Sequence, residues 1–290
     1  MTGLSAGSPE EESMKDVQAQ PDYRGVPLLM VGVRDIHLPL CIMTKDGGHQ
    51  PVSAAAYISA DLPEESRGTH MSRFVQNLSL WSGKKISSRE IRDMLWDMRI
   101  SLYARRVEIA LVFRYFISKP SPVTSQNAVM DYLCEFRGIQ REEDFTFLLG
   151  LQVPVNILCP CSKEISEYGA HNQRALIRVR IEYDRDAFIW IEDLVSSLEE
   201  LGSVPLYPLL KREDEKHVTE QAYRNPRFVE DVVRDAVLLL KGDHRIAWFE
   251  VECLSAESLH NHDAFAYHTW CRDESAGRPP CTGGHILFGE

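Results

Sequence analysis

The stretch Leu176-Ile-Arg-Val-Arg-Ile-Glu-Tyr183 alternates apolar and polar side chains, the period of a strand with one buried face. It belongs to a series of such runs, and their order limits the fold more than any other feature of the chain. Order begins near Val26, and residues 53–60 read as a strand that ends in the turn signal Asp61-Leu62-Pro63. Ser87-Ser88-Arg89-Glu90 resembles a capping box ahead of Ile91, Met94, Leu95 and Met98, which share one helical face. Residues 107–117 are rich in β-branched and aromatic side chains and read as a strand that Pro120 and Pro122 end. Another strand spans 130–136 and closes at Gly138.

The second half repeats this order. Strands are expected over 145–158 and 176–183. A helix follows over 189–201, stopped by Gly202. Pro226 fits the first turn of a further helix that continues through 228–240 to Gly242. Strands over 246–253 and 264–270 complete the half. Each half therefore reads as two strands, helices, then two strands. The division expected is a solvated acidic tail over 1–22, one module over 23–140, a second over 141–272, and an irregular tail over 273–290.

Composition removes several classes of function. A hydrophobic content of 44% with 26% charged residues is that of a globular protein able to bury a core without covalent staples. No apolar run approaches the ~20 residues needed to cross a bilayer. The acidic N-terminus lacks the basic start and apolar core of a secretory signal. Seven irregularly spaced cysteines do not make a disulfide framework, so the reducing cytosol is the expected compartment. A net charge of -11 argues against non-specific nucleic-acid binding.

Three clusters carry chemistry. Cys159 and Cys161 flank Pro160, too close for an unstrained disulfide with each other. In an extended segment they would face one side, with His171 reaching back across a strand connection. The pair reads either as thiolate ligands or as small core residues. Glu257-Ser-Leu-His-Asn-His-Asp263 sets His260 and His262 between two strands, as ligands or as a polar loop. Lys211-Arg-Glu-Asp-Glu-Lys216 taken alone is a charged helix start.

Taken together and in order, six motifs resemble the set of the type IB GTP cyclohydrolase I family. They are Gly68-Thr-His-Met-Ser-Arg-Phe74, Cys159-Pro-Cys-Ser-Lys-Glu-Ile-Ser166, Gly169-Ala-His-Asn-Gln-Arg174, the Lys211 to Lys216 motif, Asn225-Pro-Arg-Phe-Val-Glu-Asp231 and Glu257-Ser-Leu-His-Asn-His262. The resemblance spans roughly residues 17–270. It implies an α+β tunnelling fold, two tandem β-β-α-α-β-β modules with an antiparallel sheet and helices on one face. It also implies a homotetramer with sites between subunits.

The resemblance implies one divalent metal per subunit, held by Cys159, His171, Glu215 and His260. Glu213, Asp214 and Glu215 stand together, and this chain has Glu213 where the family commonly has proline. Glu215 is chosen because it ends the Asp-Glu pair of the motif. Such a donor set suits Zn²⁺, Mn²⁺ or Fe²⁺. The reaction implied converts GTP and water to formate and 7,8-dihydroneopterin triphosphate, for folate and 7-deazaguanine synthesis. Guanine C8 is a weak electrophile, and a metal that lowers the pKa of water supplies the hydroxide it needs.

Cys161 and His262 are the implied catalytic groups, the second suited to proton transfer near neutral pH. Glu230 would accept guanine N1–H and the 2-amino group as a bidentate pair. Lys163, Arg174, His70 and Arg73 are candidates for the triphosphate. Two rival readings use the same pocket. One is a tunnelling-fold enzyme acting on a pterin or deazapurine, with Cys161 as covalent nucleophile and no need of metal. The other is a purine-binding protein without turnover.

Overall fold

The computed structural model describes residue 18 and residues 20–184 and 186–273. The tails expected over 1–22 and 273–290 lie almost wholly outside these residues. At their inner edge, Pro21 bridges to Ser66 and the Asp22 amide donates to the Glu65 carbonyl at 2.9 Å.

The first half runs β1 (Leu28–Met43), β2 (His49–Leu62), α1 (Met71–Trp81), β3 (Lys85–Ile86), α2 (Ser88–Leu102), β4 (Arg106–Pro120) and β5 (Asn127–Arg141). The second runs β6 (Asp144–Leu158), α3 (Pro160–Ile165), β7 (Asn172–Tyr183), α4 (Ile191–Glu199), β8 (Val204–Pro205), α5 (Arg212–Arg224), α6 (Val229–Gly242), β9 (Ile246–Ala256) and β10 (Asp263–Cys271). The expected β-β-α-α-β-β order is present twice, with additional helices in the second half. One sheet holds the strands in the order β10-β9-β7-β6-β5-β4-β2-β1-β3, with β8 paired to β6. The long strands pair antiparallel throughout.

The alternation of side chains decides which face carries helices. Ile109 and Leu111 of β4, Leu151 and Val153 of β6, and Val179 of β7 join one core with buried residues of α1, α2, α4 and α6. Ser87 caps α2 as its sequence suggests: its hydroxyl accepts from the Arg89 amide at 3.2 Å, and Glu90 accepts from the Ser87 amide at 2.9 Å. Edge-on aromatic contacts link Phe113, Phe136, Phe147 and Tyr183 across four neighbouring strands, so the core runs unbroken from one half into the other.

Two expectations fail here. The strand ending at Gly138 continues to Arg141. Glycine is required there for a different reason, because an added Cβ would stand 2.4 Å from Ile91 Cγ2 and 2.9 Å from Leu95 Cδ1. The residue lets α2 sit close on the sheet and does not end the strand. Pro226 lies outside α6. Asn225 closes α5, and Phe228 is the N-cap of α6.

The opposite face carries a charged row. Glu108 of β4, Glu135 of β5, Arg180 of β7 and Glu250 and Glu252 of β9 are all buried. Arg180 bridges Glu135 Oε2 at 2.8 Å and Glu250 Oε1 at 2.6 Å. Arg137 joins Glu108 to Glu135, and Arg178 pairs with Glu252.

Candidate functional site

The site is built around the end of β6. Strand pairing sets Leu158 opposite Asn172, and the Cys159 amide donates to the His171 carbonyl at 3.1 Å. Cys159 and His171 therefore face each other across the mouth of the β6–β7 connection. Cys159 is the N-cap of α3, its Sγ accepting from the Ser162 amide at 3.4 Å.

Cys161 is not placed by the extended i, i+2 geometry expected. Pro160 opens a helix at that point, so Cys161 stands exposed in its first turn. The alternative that both cysteines are small core residues also fails, since Cys159 is half-buried and Cys161 exposed. The core thiols are others. Burial pushes Cys253 up to about 12 and Cys134 higher still, which keeps both protonated at neutral pH.

Among the described residues, side-chain hydrogen bonds hold the His171 ring through Nδ1. Its Nδ1 lies 2.9 Å from Gln173 Oε1 and 3.2 Å from Ser258 Oγ. Gln173 in turn donates through Nε2 to Glu257 Oε1 at 3.1 Å and to Ser255 Oγ at 3.3 Å. These contacts attach the start of β7 to the loop between β9 and β10. That loop carries His260 and His262, exposed and stacked with ring centroids 5.1 Å apart.

The acidic motif divides by burial. Asp214 is fully buried, while Glu213 and Glu215 are exposed in the first turn of α5. Asp214 Oδ1 accepts from the amides of Val123 and Thr124 at 2.8 and 2.9 Å. Its Oδ2 accepts from the Thr124 hydroxyl at 2.6 Å and the Lys211 amide at 2.9 Å. Both oxygens are thus engaged in pinning α5 to the β4–β5 loop of the first half, which leaves Glu213 and Glu215 as the outward carboxylates.

Burial alone would raise the Asp214 carboxyl, but the Thr124 hydroxyl and the three amides hold it well below the usual carboxylate range. A depressed value means stabilisation that is complete above the ordinary aspartate value of ~3.9, begins to fall as pH drops below it, and is gone only below the depressed value of the folded protein. Asp214→Asn should lower the unfolding midpoint by several degrees at neutral pH and flatten the loss on acidification. Thermal melts from about pH 7 down to pH 3, bracketing that ordinary value, check this. Equal acid sensitivity in both proteins would contradict it.

Lys163 on α3 donates to the Tyr223 carbonyl at 2.6 Å and lies over the Tyr223 ring, tying α3 to α5. Glu230, in the first turn of α6, lines a groove with Arg234, Tyr267 and His268. Arg174 lines a different depression, with Arg114, Gln152 and Tyr207. His70 and Arg73 sit at the start of α1 in the first half, the Arg73 guanidinium donating to the Ser101 carbonyl at 3.0 Å.

The sequence-assigned residues are therefore gathered only in part. Cys159 and His171 are neighbours, and Ser258 brings the His260 loop against His171. Glu230 and Arg174 line different depressions, His70 and Arg73 stand at the start of α1, and Glu215 is exposed in the first turn of α5. Among the described residues, no three His, Cys, Asp or Glu side chains stand close enough to hold a metal ion. Sequence reasoning gave Gln173 no role and weighed Asp214 only as one of three adjacent carboxylates. Gln173 carried a signal, standing two residues beyond His171 at the start of β7; the importance of Asp214 depends on a loop ninety residues earlier in the chain.

Comparison with known proteins supplies the remainder. The family described as "Type I GTP cyclohydrolase folE2" matches residues 14–266. The chain is 47% identical over 254 residues to a protein of Syntrophotalea carbinolica named GTP cyclohydrolase FolE2, covering 87% of this chain and 94% of that one. Proteins of the same name from Thermosipho africanus and Thermotoga neapolitana are 46% and 48% identical, each over 87% of this chain and 96% of theirs. Among solved structures, uricase from Arthrobacter globiformis aligns with a TM-score of 0.46 and 8% identity, over 87% of this chain and 96% of that one.

Proposed function

The chain belongs to the FolE2 family of type I GTP cyclohydrolases, and from this we infer a site in which its own residues open the guanine ring of GTP. The reaction takes GTP and water to formate and 7,8-dihydroneopterin triphosphate, the entry to folate synthesis. The observation that carries this reading is the match over residues 14–266, within which every motif residue discussed above falls.

The family supports a metal-dependent reaction, and the donors, a sulfur with imidazole nitrogens and a carboxylate, are of the chemical kinds that bind a divalent ion. Cys159 is half-buried and its amide donates to the His171 carbonyl. The contacts at His171 Nδ1 leave its Nε2 for a ligand. Cys159, His171, His260 and Glu215 would hold one ion per subunit, with Zn²⁺, Mn²⁺ or Fe²⁺ compatible. When bound, such an ion acts as a Lewis acid that lowers the pKa of water.

The chain's other residues divide the remaining work. The Glu230 carboxylate accepts guanine N1–H and the 2-amino group. Cys161, exposed beside Cys159, moves a proton at C8. His262 serves as acid and base while the ribose ring opens. Lys163, Arg174, His70 and Arg73 neutralise the triphosphate. Glu230 and Arg174 line different depressions of one chain, and His70 and Arg73 stand at the start of α1 in the first half, which favours a homotetramer whose sites form between subunits. No helix among the described residues is long and apolar enough to cross a membrane. The cysteine pattern supports a cytosolic setting.

Purified protein stripped of metal, then given GTP with Mn²⁺, Zn²⁺ or Fe²⁺, should yield pterin fluorescence and one formate per GTP. Absence of product with every metal would overturn the reading. Glu230→Ala should lower kcat/KM by about 10- to 100-fold, the scale of hydrogen bonds to a charged group, with metal content unchanged. Steady-state kinetics and metal analysis measure both.

A further inference from the structure

We propose that Gln173 is a positioning residue that sets the tautomer of His171 and couples it to the His260–His262 loop; this rests on the reading of His171 as a metal ligand. Gln173 lies on β7 and is 9% exposed. Its amide has one possible orientation. Nε2 faces Glu257 Oε1 at 3.1 Å, and an ionised carboxylate only accepts, so the NH₂ group points there. Oε1 then faces His171 Nδ1 at 2.9 Å and can only accept. The ring nitrogen between them must carry the proton. The lone pair is left on Nε2, where a cation can take it.

The same amide reaches the second half of the site. Glu257 also accepts from Ser255 Oγ at 2.9 Å, and Ser258 Oγ lies 3.4 Å from Gln173 Oε1. Residues 255–258 lead directly into the loop bearing His260 and His262. One side chain thus fixes the ring of one assigned ligand and anchors the segment carrying another. Polar partners of this kind are typically worth ~10–100-fold in metal affinity.

Two substitutions separate these roles. Gln173→Glu keeps an acceptor for Nδ1–H but loses the donor and sets a second carboxylate against Glu257. Gln173→Met, of similar volume, loses both. Zn²⁺ affinity of the full chain would be measured by competition with a chromophoric chelator, alongside kcat and thermal melting. Gln173→Met should weaken Zn²⁺ by about 10- to 100-fold. Gln173→Glu should weaken Zn²⁺ less than Gln173→Met does, its carboxylate still orienting the imidazole while the displaced loop draws His260 away, and should lose turnover at least about tenfold.

Nitrogen NMR of His171 in the metal-free protein gives a readout that melting does not move: the Nδ1–H form in the starting protein and Gln173→Glu, and loss of that preference in Gln173→Met. Equal Zn²⁺ affinity in the two variants, or an unchanged tautomer in Gln173→Met, overturns the proposal. His171→Ala distinguishes the two levels of failure. If it retains Zn²⁺, the ligand assignment itself is wrong; if it loses Zn²⁺ while Gln173→Met does not, only the role of Gln173 is.

Discussion

Replacing Cys159 by alanine is expected to strip the protein of metal and abolish turnover, while replacing Cys161 by alanine leaves metal in place and lowers turnover by about 100-fold or more. The two side chains stand two residues apart but in different surroundings. Cys159 is the N-cap of α3, hydrogen-bonded through its backbone to His171 and half-buried at the mouth of the β6–β7 connection. Loss of a direct ligand should exceed the ~10–100-fold typical of an outer partner. Cys161 stands exposed in the first turn of the helix. Elemental analysis with GTP turnover tests both. Identical behaviour of the two variants would refute this division of roles.

Arg180→Met should destabilise the fold by about 3–5 kcal/mol. Arg180 bridges Glu135 to Glu250, and all three side chains are buried. Arg137 continues to neutralise Glu135 in the variant. Glu250 retains the hydroxyl of Tyr267, at 3.1 Å, but its charge is no longer paired with Arg180. The cost lies in that stranded carboxylate more than in the lost attraction. Urea unfolding at one fixed protomer concentration measures it, since assembly would otherwise shift the midpoint. A loss below about 1 kcal/mol, the range of an exposed pair, would show that the row is effectively solvated.

The strands were legible because alternation survives in a sheet with one apolar face. In β7, Ile177, Val179 and Ile181 enter the core while Arg178 and Arg180 join the charged row. The α2 cap was legible because a capping box is local chemistry. Gly138 misled because glycine ends strands and also admits close helices, and only the position of Ile91 decides between them. The Cys159–Cys161 geometry misled because Pro160 can sit in a strand edge or open a helix. The ligand candidates emerged from ordered motifs. Their incomplete convergence in one chain could not be read, because it depends on where α5 and the β9–β10 loop lie relative to β6.

The joint between Asp214 and residues 121–126 has an evolutionary corollary. Two of its three donors are main-chain amides, which almost any residue supplies. The loop can therefore drift widely in sequence while α5 keeps its seat. The exceptions are few: proline at 123 or 124 would delete a donor, and loss of the Thr124 hydroxyl would remove the one side-chain contribution. A segment that looks freely variable thus steadies the acidic end of a helix in the other half of the molecule.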